Sequence, residues 1–282
     1  MDALVTTEWL ADELGAHDLR LVDATYFGSV PGAPGGDARQ RFEAAHIPGA
    51  VFLDLEALAD TTSELPSMLP SPEAFAERIA SLGIGDGDRI VLYDVSHYHT
   101  ATRAWWMLRA FGVRDVAILD GGLAKWQAEG RAVENGTAQP ARATFTARFD
   151  RHRVRTLDQM KANAVNPGEQ MLDARSPARF SGEEPDPRPG TGAGHIPGSK
   201  NLPYGRLLNP DGTWKTATAL KAEFDAAGID LAKPLVTTCG SGITAAVLAF
   251  GAHLLGGGAA LYDGSWSEWG ADPTTPKATG TA

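Results

Sequence analysis

Two kinds of apolar segment alternate along the chain. Short runs such as Leu21-Val22-Asp23-Ala24, Arg89-Ile90-Val91-Leu92-Tyr93, Met171-Leu172-Asp173-Ala174 and Pro234-Leu235-Val236-Thr237-Thr238 are too brief for helices and rich in aliphatic residues. They read as buried strands, with further short strands near Ala117-Ile118-Leu119 and Ala259-Ala260-Leu261. Helix candidates lie among them: Thr7 followed by Glu8 and an apolar pattern starts one, and Thr156 with Gln159 in capping-box spacing starts another. The alternation predicts an α/β architecture with a mainly parallel sheet flanked by helices, whose sites gather at the carboxyl ends of the strands.

The pattern occurs twice. Leu21-Val22-Asp23-Ala24 returns as Met171-Leu172-Asp173-Ala174, and Arg41-Phe42 with His46-Ile47-Pro48-Gly49 returns as Arg179-Phe180 with His195-Ile196-Pro197-Gly198. Leu119-Asp120-Gly121-Gly122 returns as Tyr262-Asp263-Gly264-Ser265. A spacing of about 150 residues is far longer than a solenoid repeat and means two copies of one domain. Residues 1–137 form the first copy, residues 138–153 a linker with Pro140 and several basic residues, and residues 154–282 the second. The tail from Ala271, rich in Pro, Thr and Gly, is expected to be loose or draped on the surface.

Composition narrows the function. A net charge of -10 disfavours non-specific binding to nucleic acid or to an anionic membrane. From Pro234 to Tyr262 no residue is charged, long enough in principle to span a bilayer. However, Cys239-Gly240-Ser241-Gly242 and Gly256-Gly257-Gly258 interrupt it, and its counterpart in the first copy contains Arg103, Arg109, Arg114 and Asp115. It reads as strand, loop, helix and strand of a soluble domain. Acidic residues between Met1 and Glu13 argue against a secretory segment there. A single cysteine permits no internal disulfide and no resolving thiol, which points to a reducing, cytoplasmic setting.

That cysteine, Cys239, lies between a strand and a helix candidate and is flanked by Gly240 and Gly242. Backbone N–H groups and the helix dipole at such a place favour a thiolate, so Cys239 is a candidate nucleophile rather than a small core residue. Its counterpart in the first copy is Asp94, followed by the longer loop Val95-Ser96-His97-Tyr98-His99. One copy carries the thiol and the other does not, which predicts a cleft between a catalytic domain and its twin. His97 and His99, one residue apart with no cysteine beside them, are weak evidence for a metal, and none is expected. No cofactor is expected either. A cysteine phosphatase would need an arginine where Ala245 stands, and Gly198-Ser199-Lys200 has the wrong order for a phosphate loop.

The chain resembles the tandem-domain rhodanese family of sulfurtransferases over almost its whole length. The resemblance rests on the two His-Ile-Pro-Gly segments, the thiol loop in the second copy only, Asp120-Gly121-Gly122 before Trp126, and Asp263-Gly264-Ser265-Trp266 with Glu268-Trp269. Cys239-Gly240-Ser241-Gly242-Ile243-Thr244 is similar to the loop of the 3-mercaptopyruvate sulfurtransferases within that family, whereas thiosulfate-preferring members carry cations after the cysteine. Physical reasoning agrees: thiosulfate is a dianion that leaves as sulfite, and this loop offers no positive side chain to stabilise it.

The resemblance implies that Cys239 takes sulfur from a small anionic donor as a persulfide and passes it to a thiol such as thioredoxin, or to cyanide. It implies that Arg179 and Arg188 grip the donor's carboxylate or ketone, with Gly240, Gly242, Ile243 and Thr244 forming the cradle. It implies a proton relay from Ser241 to a histidine and an aspartate of the first domain, matched here to His46 and Asp37. Because His46 recurs as His195, a turn-fixing role competes with the relay. An aromatic residue is usual in the family near position 99, where this chain has His99. Thiosulfate transfer and a persulfide carrier remain the alternatives, and a non-catalytic binding module is disfavoured by the intact Cys239.

Overall fold

The computed structural model describes residues 1–28, 36–137 and 140–281. Two five-stranded parallel sheets are built from β1 (Leu4–Val5), β2 (Leu19–Asp23), β3 (Val51–Phe52), β4 (Arg89–Tyr93) and β5 (Val116–Leu119), and from β6 (Val154–Arg155), β7 (Gln170–Asp173), β8 (Lys200–Asn201), β9 (Leu235–Thr238) and β10 (Ala260–Tyr262). Their orders, β1-β5-β4-β2-β3 and β6-β10-β9-β7-β8, are the same once the strands are matched in sequence. The duplication read from the chain is thus a duplication of topology.

β4 and β9 lie centrally and are buried along almost their whole length, which is why they read as continuous apolar runs without alternation. Thr156 and Gln159 form the reciprocal capping box, and Thr6 caps the first helix by accepting from the Trp9 N–H at 3.1 Å. The edge strands β3 and β8 hold only two residues each, too few to leave a sequence pattern.

The uncharged stretch is β9, a loop, the helix Ala245–Leu254 and β10. No helix among the described residues is long and apolar enough to cross a membrane. Helix Ala245–Leu254 is apolar all round because it is buried between its own sheet and helix Ala101–Ala110 of the first unit. Trp105 meets Phe250 edge-on there, with ring centroids 4.9 Å apart, so the two units share an apolar core.

Connecting segments are more tightly held than their composition suggests. Within residues 138–153, of which Ala138 and Gln139 lie outside the described residues, the Ala143 N–H donates to Ala80 O at 3.0 Å and the Arg148 N–H to Phe111 O at 2.8 Å. The tail is not loose: Ala278 exchanges backbone hydrogen bonds with His195, and Pro276 O accepts from the Trp269 indole at 2.8 Å. Glu134 pairs with His46 in the same way, so each His-Ile-Pro-Gly turn is closed by chain that follows the last helix of its unit.

Candidate active site

Cys239 follows the last residue of β9 at the carboxyl edge of the second sheet and is 2% exposed. The back of its loop is tied to the segment after β10. Ser265 Oγ accepts from the Cys239 N–H at 3.2 Å, while Cys239 O and Gly240 O accept from the N–H groups of Trp266 and Ser267 at 3.0 and 2.8 Å. This explains the Asp263-Gly264-Ser265-Trp266 motif, which grips the carbonyl side of the loop. On the other side, the N–H groups of Gly240, Ser241, Gly242, Ile243 and Thr244 have no acceptor among the described residues. Consecutive free N–H groups ahead of a helix form a cradle for an anion.

The loop faces a cleft of about 230 Å³ lined by residues of both units. Cys239, Ser241, Ile243 and Thr244 form its floor, Arg179 and Arg188 one wall, and Tyr26, Tyr98 and Tyr204 the other. A Cβ on Gly240 would lie 3.2 Å from Arg188 Nη2 and 3.6 Å from Arg179 Nη2, so the glycine lets both guanidinium groups approach the residue next to the thiol.

Both arginines converge on Asp186, whose side chain is almost wholly buried. Arg179 Nη2 donates to Asp186 Oδ2 at 2.5 Å, and Arg188 Nη1 donates to Asp186 Oδ1 at 3.1 Å. Burial raises the Asp186 carboxyl, but the Arg188 amide, the Arg179 hydrogen bond and the charges of both arginines outweigh it and hold the group below the usual carboxylate range. The wall therefore presents two cations and one anion.

A model of the rhodanese-like domain matches residues 6–129 and again residues 156–272. The chain belongs to the rhodanese family. It is 42% identical to the 3-mercaptopyruvate sulfurtransferase of Escherichia coli K12 over 96% of each chain. It is also 42% identical to that of Homo sapiens, covering 95% of this chain and 91% of the human one. The crystal structure of an Escherichia coli 3-mercaptopyruvate sulfotransferase superposes with a TM-score of 0.85 at 38% identity, covering 94% of this chain and 99% of the other.

In the first rhodanese domain the cradle holds a carboxylate. Asp94 Oδ1 accepts from the Ser96 N–H at 2.8 Å and Asp94 Oδ2 from the Ala101 N–H at 2.7 Å, at the start of helix Ala101–Ala110. Burial pushes Asp94 up to about 7, against the lowering by these two donors. An internal carboxyl group thus occupies N–H groups of the kind that have no acceptor among the described residues around Cys239.

The structure does not bring His46 and Asp37 to Ser241. His46 is buried, stacks on Phe42 at 4.0 Å, and places Nδ1 2.8 Å from Phe42 O and Nε2 3.3 Å from Glu134 Oε1. His195 repeats this, stacked on Phe180 at 3.8 Å with Nδ1 2.8 Å from Phe180 O. Asp37 caps the helix Ala38–Ala44, accepting from the Gln40 N–H at 2.9 Å. Nδ1 of His46 faces the Phe42 carbonyl and Nε2 the Glu134 carboxylate, both within the first domain, and neither His46 nor Asp37 lines the cleft that holds Ser241.

Several site residues lack a local sequence signal. Tyr98, not its neighbour His99, joins Tyr26 and Tyr204 in the aromatic wall of the cleft, while His99 lines a separate pocket beside Asp94. The Tyr204 phenol is raised by burial and by the neighbouring Tyr98 and Cys239. Asp186 and Ser265 could have been flagged only by their places inside the Pro-Asp-Pro-Arg and Asp-Gly-Ser-Trp segments.

Proposed function

We propose that this rhodanese-family enzyme is a 3-mercaptopyruvate sulfurtransferase acting through a persulfide on Cys239. The observation that carries the reading is the charge around the thiol. Its own loop is neutral, and the adjacent wall of Arg179, Arg188 and buried Asp186 offers one net positive charge, suited to the single carboxylate of 3-mercaptopyruvate. Two guanidinium forks can hold that carboxylate and the adjacent ketone. Thiosulfate would place a second negative charge against a loop that offers only N–H groups.

In the first step the Cys239 thiolate attacks the substrate sulfur. A sulfur–sulfur bond forms, the carbon–sulfur bond breaks, and its electron pair leaves with carbon as the enolate of pyruvate. The proton from the substrate thiol completes pyruvate at that carbon, with the Ser241 hydroxyl in the cleft as the relay, exchanging with solvent rather than with His46. Negative charge then rests on the persulfide, held by the N–H groups of Gly240 to Thr244.

In the second step an acceptor thiolate or cyanide attacks the outer sulfur and restores the Cys239 thiolate. Having no second cysteine, the enzyme hands its sulfur to another molecule, a small thiol or a thioredoxin-type dithiol, in the reducing cytoplasm. Comparing sulfur transfer from 3-mercaptopyruvate and from thiosulfate tests the donor. The reading requires the larger kcat/KM with 3-mercaptopyruvate, and the reverse order would replace it with thiosulfate transfer. Loss of pyruvate release in Cys239→Ser tests the nucleophile.

A further inference from the structure

One buried cation of the first domain reaches the catalytic loop of the second. Arg103, on helix Ala101–Ala110, is 1% exposed. Its Nη2 donates to Ser67 O at 2.5 Å and lies 2.8 Å from Asp263 Oδ1, its Nη1 donates to Gly242 O at 3.3 Å, and its guanidinium lies 4.6 Å over the Trp106 ring. Gly242 has φ +79°, and a Cβ there would lie 3.0 Å from Asp263 O and 3.1 Å from Arg103 Nη1, so a side chain would be both strained and crowded.

The duplication separates what the scaffold needs from what Arg103 adds. Asp263 Oδ2 accepts from the Leu69 N–H of the first domain at 2.8 Å, and Asp120 Oδ1 accepts from the Trp214 N–H of the second, also at 2.8 Å. That reciprocal pair belongs to the shared architecture. Arg103 does not: it is the third residue of its helix, and the third residue of the matching helix Ala245–Leu254 is fully buried Val247. An apolar residue fills the matching place in the second domain, so the shared fold itself does not call for a cation there.

We propose that Arg103 is a positioning residue that clamps the Cys239 loop from the non-catalytic domain. In a trans peptide the C=O and N–H point in opposite directions, so holding Gly242 O toward Arg103 turns the Ile243 N–H away from it, toward the cleft that Ile243 lines. That N–H is one of the five without an acceptor among the described residues. The clamp fixes a donor for the thiolate and the persulfide, and gives the first domain a part in the chemistry although it lacks the thiol. The inference rests on Cys239 being the nucleophile.

The test uses Arg103→Lys, which keeps a buried charge but lacks the fork, and Arg103→Met with Asp263→Asn, which removes both charges. The charged and titratable side chains that line the cleft with the thiol, Arg175, Arg179, Arg188, Tyr26, Tyr98 and Tyr204, stay unchanged. The proposal expects iodoacetamide alkylation of Cys239 at neutral pH to slow about tenfold, its pH profile to move to higher pH, and persulfide loading to slow in parallel with KM little altered. Asp120→Asn, which weakens the matching interdomain contact, is expected to lower Tm and leave the profile in place. The proposal is overturned if the Arg103→Lys enzyme alkylates with the wild-type profile, or if Asp120→Asn shifts it equally. Alkylation needs no sulfur donor, so a shifted profile without pyruvate release would reject the donor and leave the clamp standing.

Discussion

Asp94 holds in the first rhodanese domain the place that Cys239 holds in the second, at the carboxyl end of the central strand and ahead of the helix that packs against its twin. The same cradle serves a fixed carboxyl group in one domain and a reacting sulfur in the other. Asp94 satisfies its N–H donors permanently, which stabilises that loop and removes it from catalysis.

The Asp94 carboxyl gives this a pH signature. Its folded value of about 7 lies above the unfolded value, so its contribution to stability is complete below about pH 4 and is lost as pH rises through 7. Urea denaturation of Asp94→Ser against the parent is expected to show a penalty larger at pH 5 than at pH 8, by on the order of 2 kcal/mol. A penalty independent of pH would contradict the burial argument.

His46→Gln separates the turn from the relay. The variant loses the stack on Phe42 and the bond to its carbonyl, at a cost of about 1–2 kcal/mol visible as a lowered Tm. Pyruvate release by the folded fraction is expected to stay within about twofold of the parent, because no ring nitrogen reaches Ser241. A hundredfold fall in kcat with Tm unchanged would restore the relay.

Arg188→Met removes one of the two forks over Gly240. Losing a charge-assisted hydrogen bond to the donor is expected to raise KM for 3-mercaptopyruvate roughly 10-fold to 100-fold, with a smaller change in kcat. An unchanged KM would remove Arg188 from substrate binding.

Asp186→Asn raises the net charge of the wall without changing its size. The ratio of thiosulfate to 3-mercaptopyruvate kcat/KM is expected to rise severalfold, since the dianion gains the uncompensated cation. A ratio that falls would show that Asp186 sets the arginine geometry more than the charge.

Much of this architecture was legible in the sequence because duplication prints the scaffold twice. β4 and β9, the capping box of Thr156 and Gln159, and the contrast of Asp94 with Cys239 all follow from local runs and their recurrence. Features made by tertiary closure left no local trace. The Pro- and Thr-rich tail reads as loose or draped on the surface, and of these it is the held alternative, since His195 needs the backbone of Ala278 to satisfy its own N–H and C=O. For His46 the resemblance implies a relay and the recurrence as His195 a turn, and its stack on Phe42 with ring contacts to Phe42 O and Glu134 fits the turn. Arg103 acts through Gly242 and Asp263, partners far from it in chain, which no spacing rule reports, and Asp186 acts through two nearby arginines that only the folded loop turns onto it.

The central claim is that sulfur passes through Cys239 alone. Mass spectrometry of the enzyme after addition of 3-mercaptopyruvate without acceptor tests it most directly. The account predicts a one-sulfur increment on the Cys239 peptide, formed together with pyruvate and lost on adding a thiol or cyanide. Pyruvate release with that peptide unmodified would contradict it.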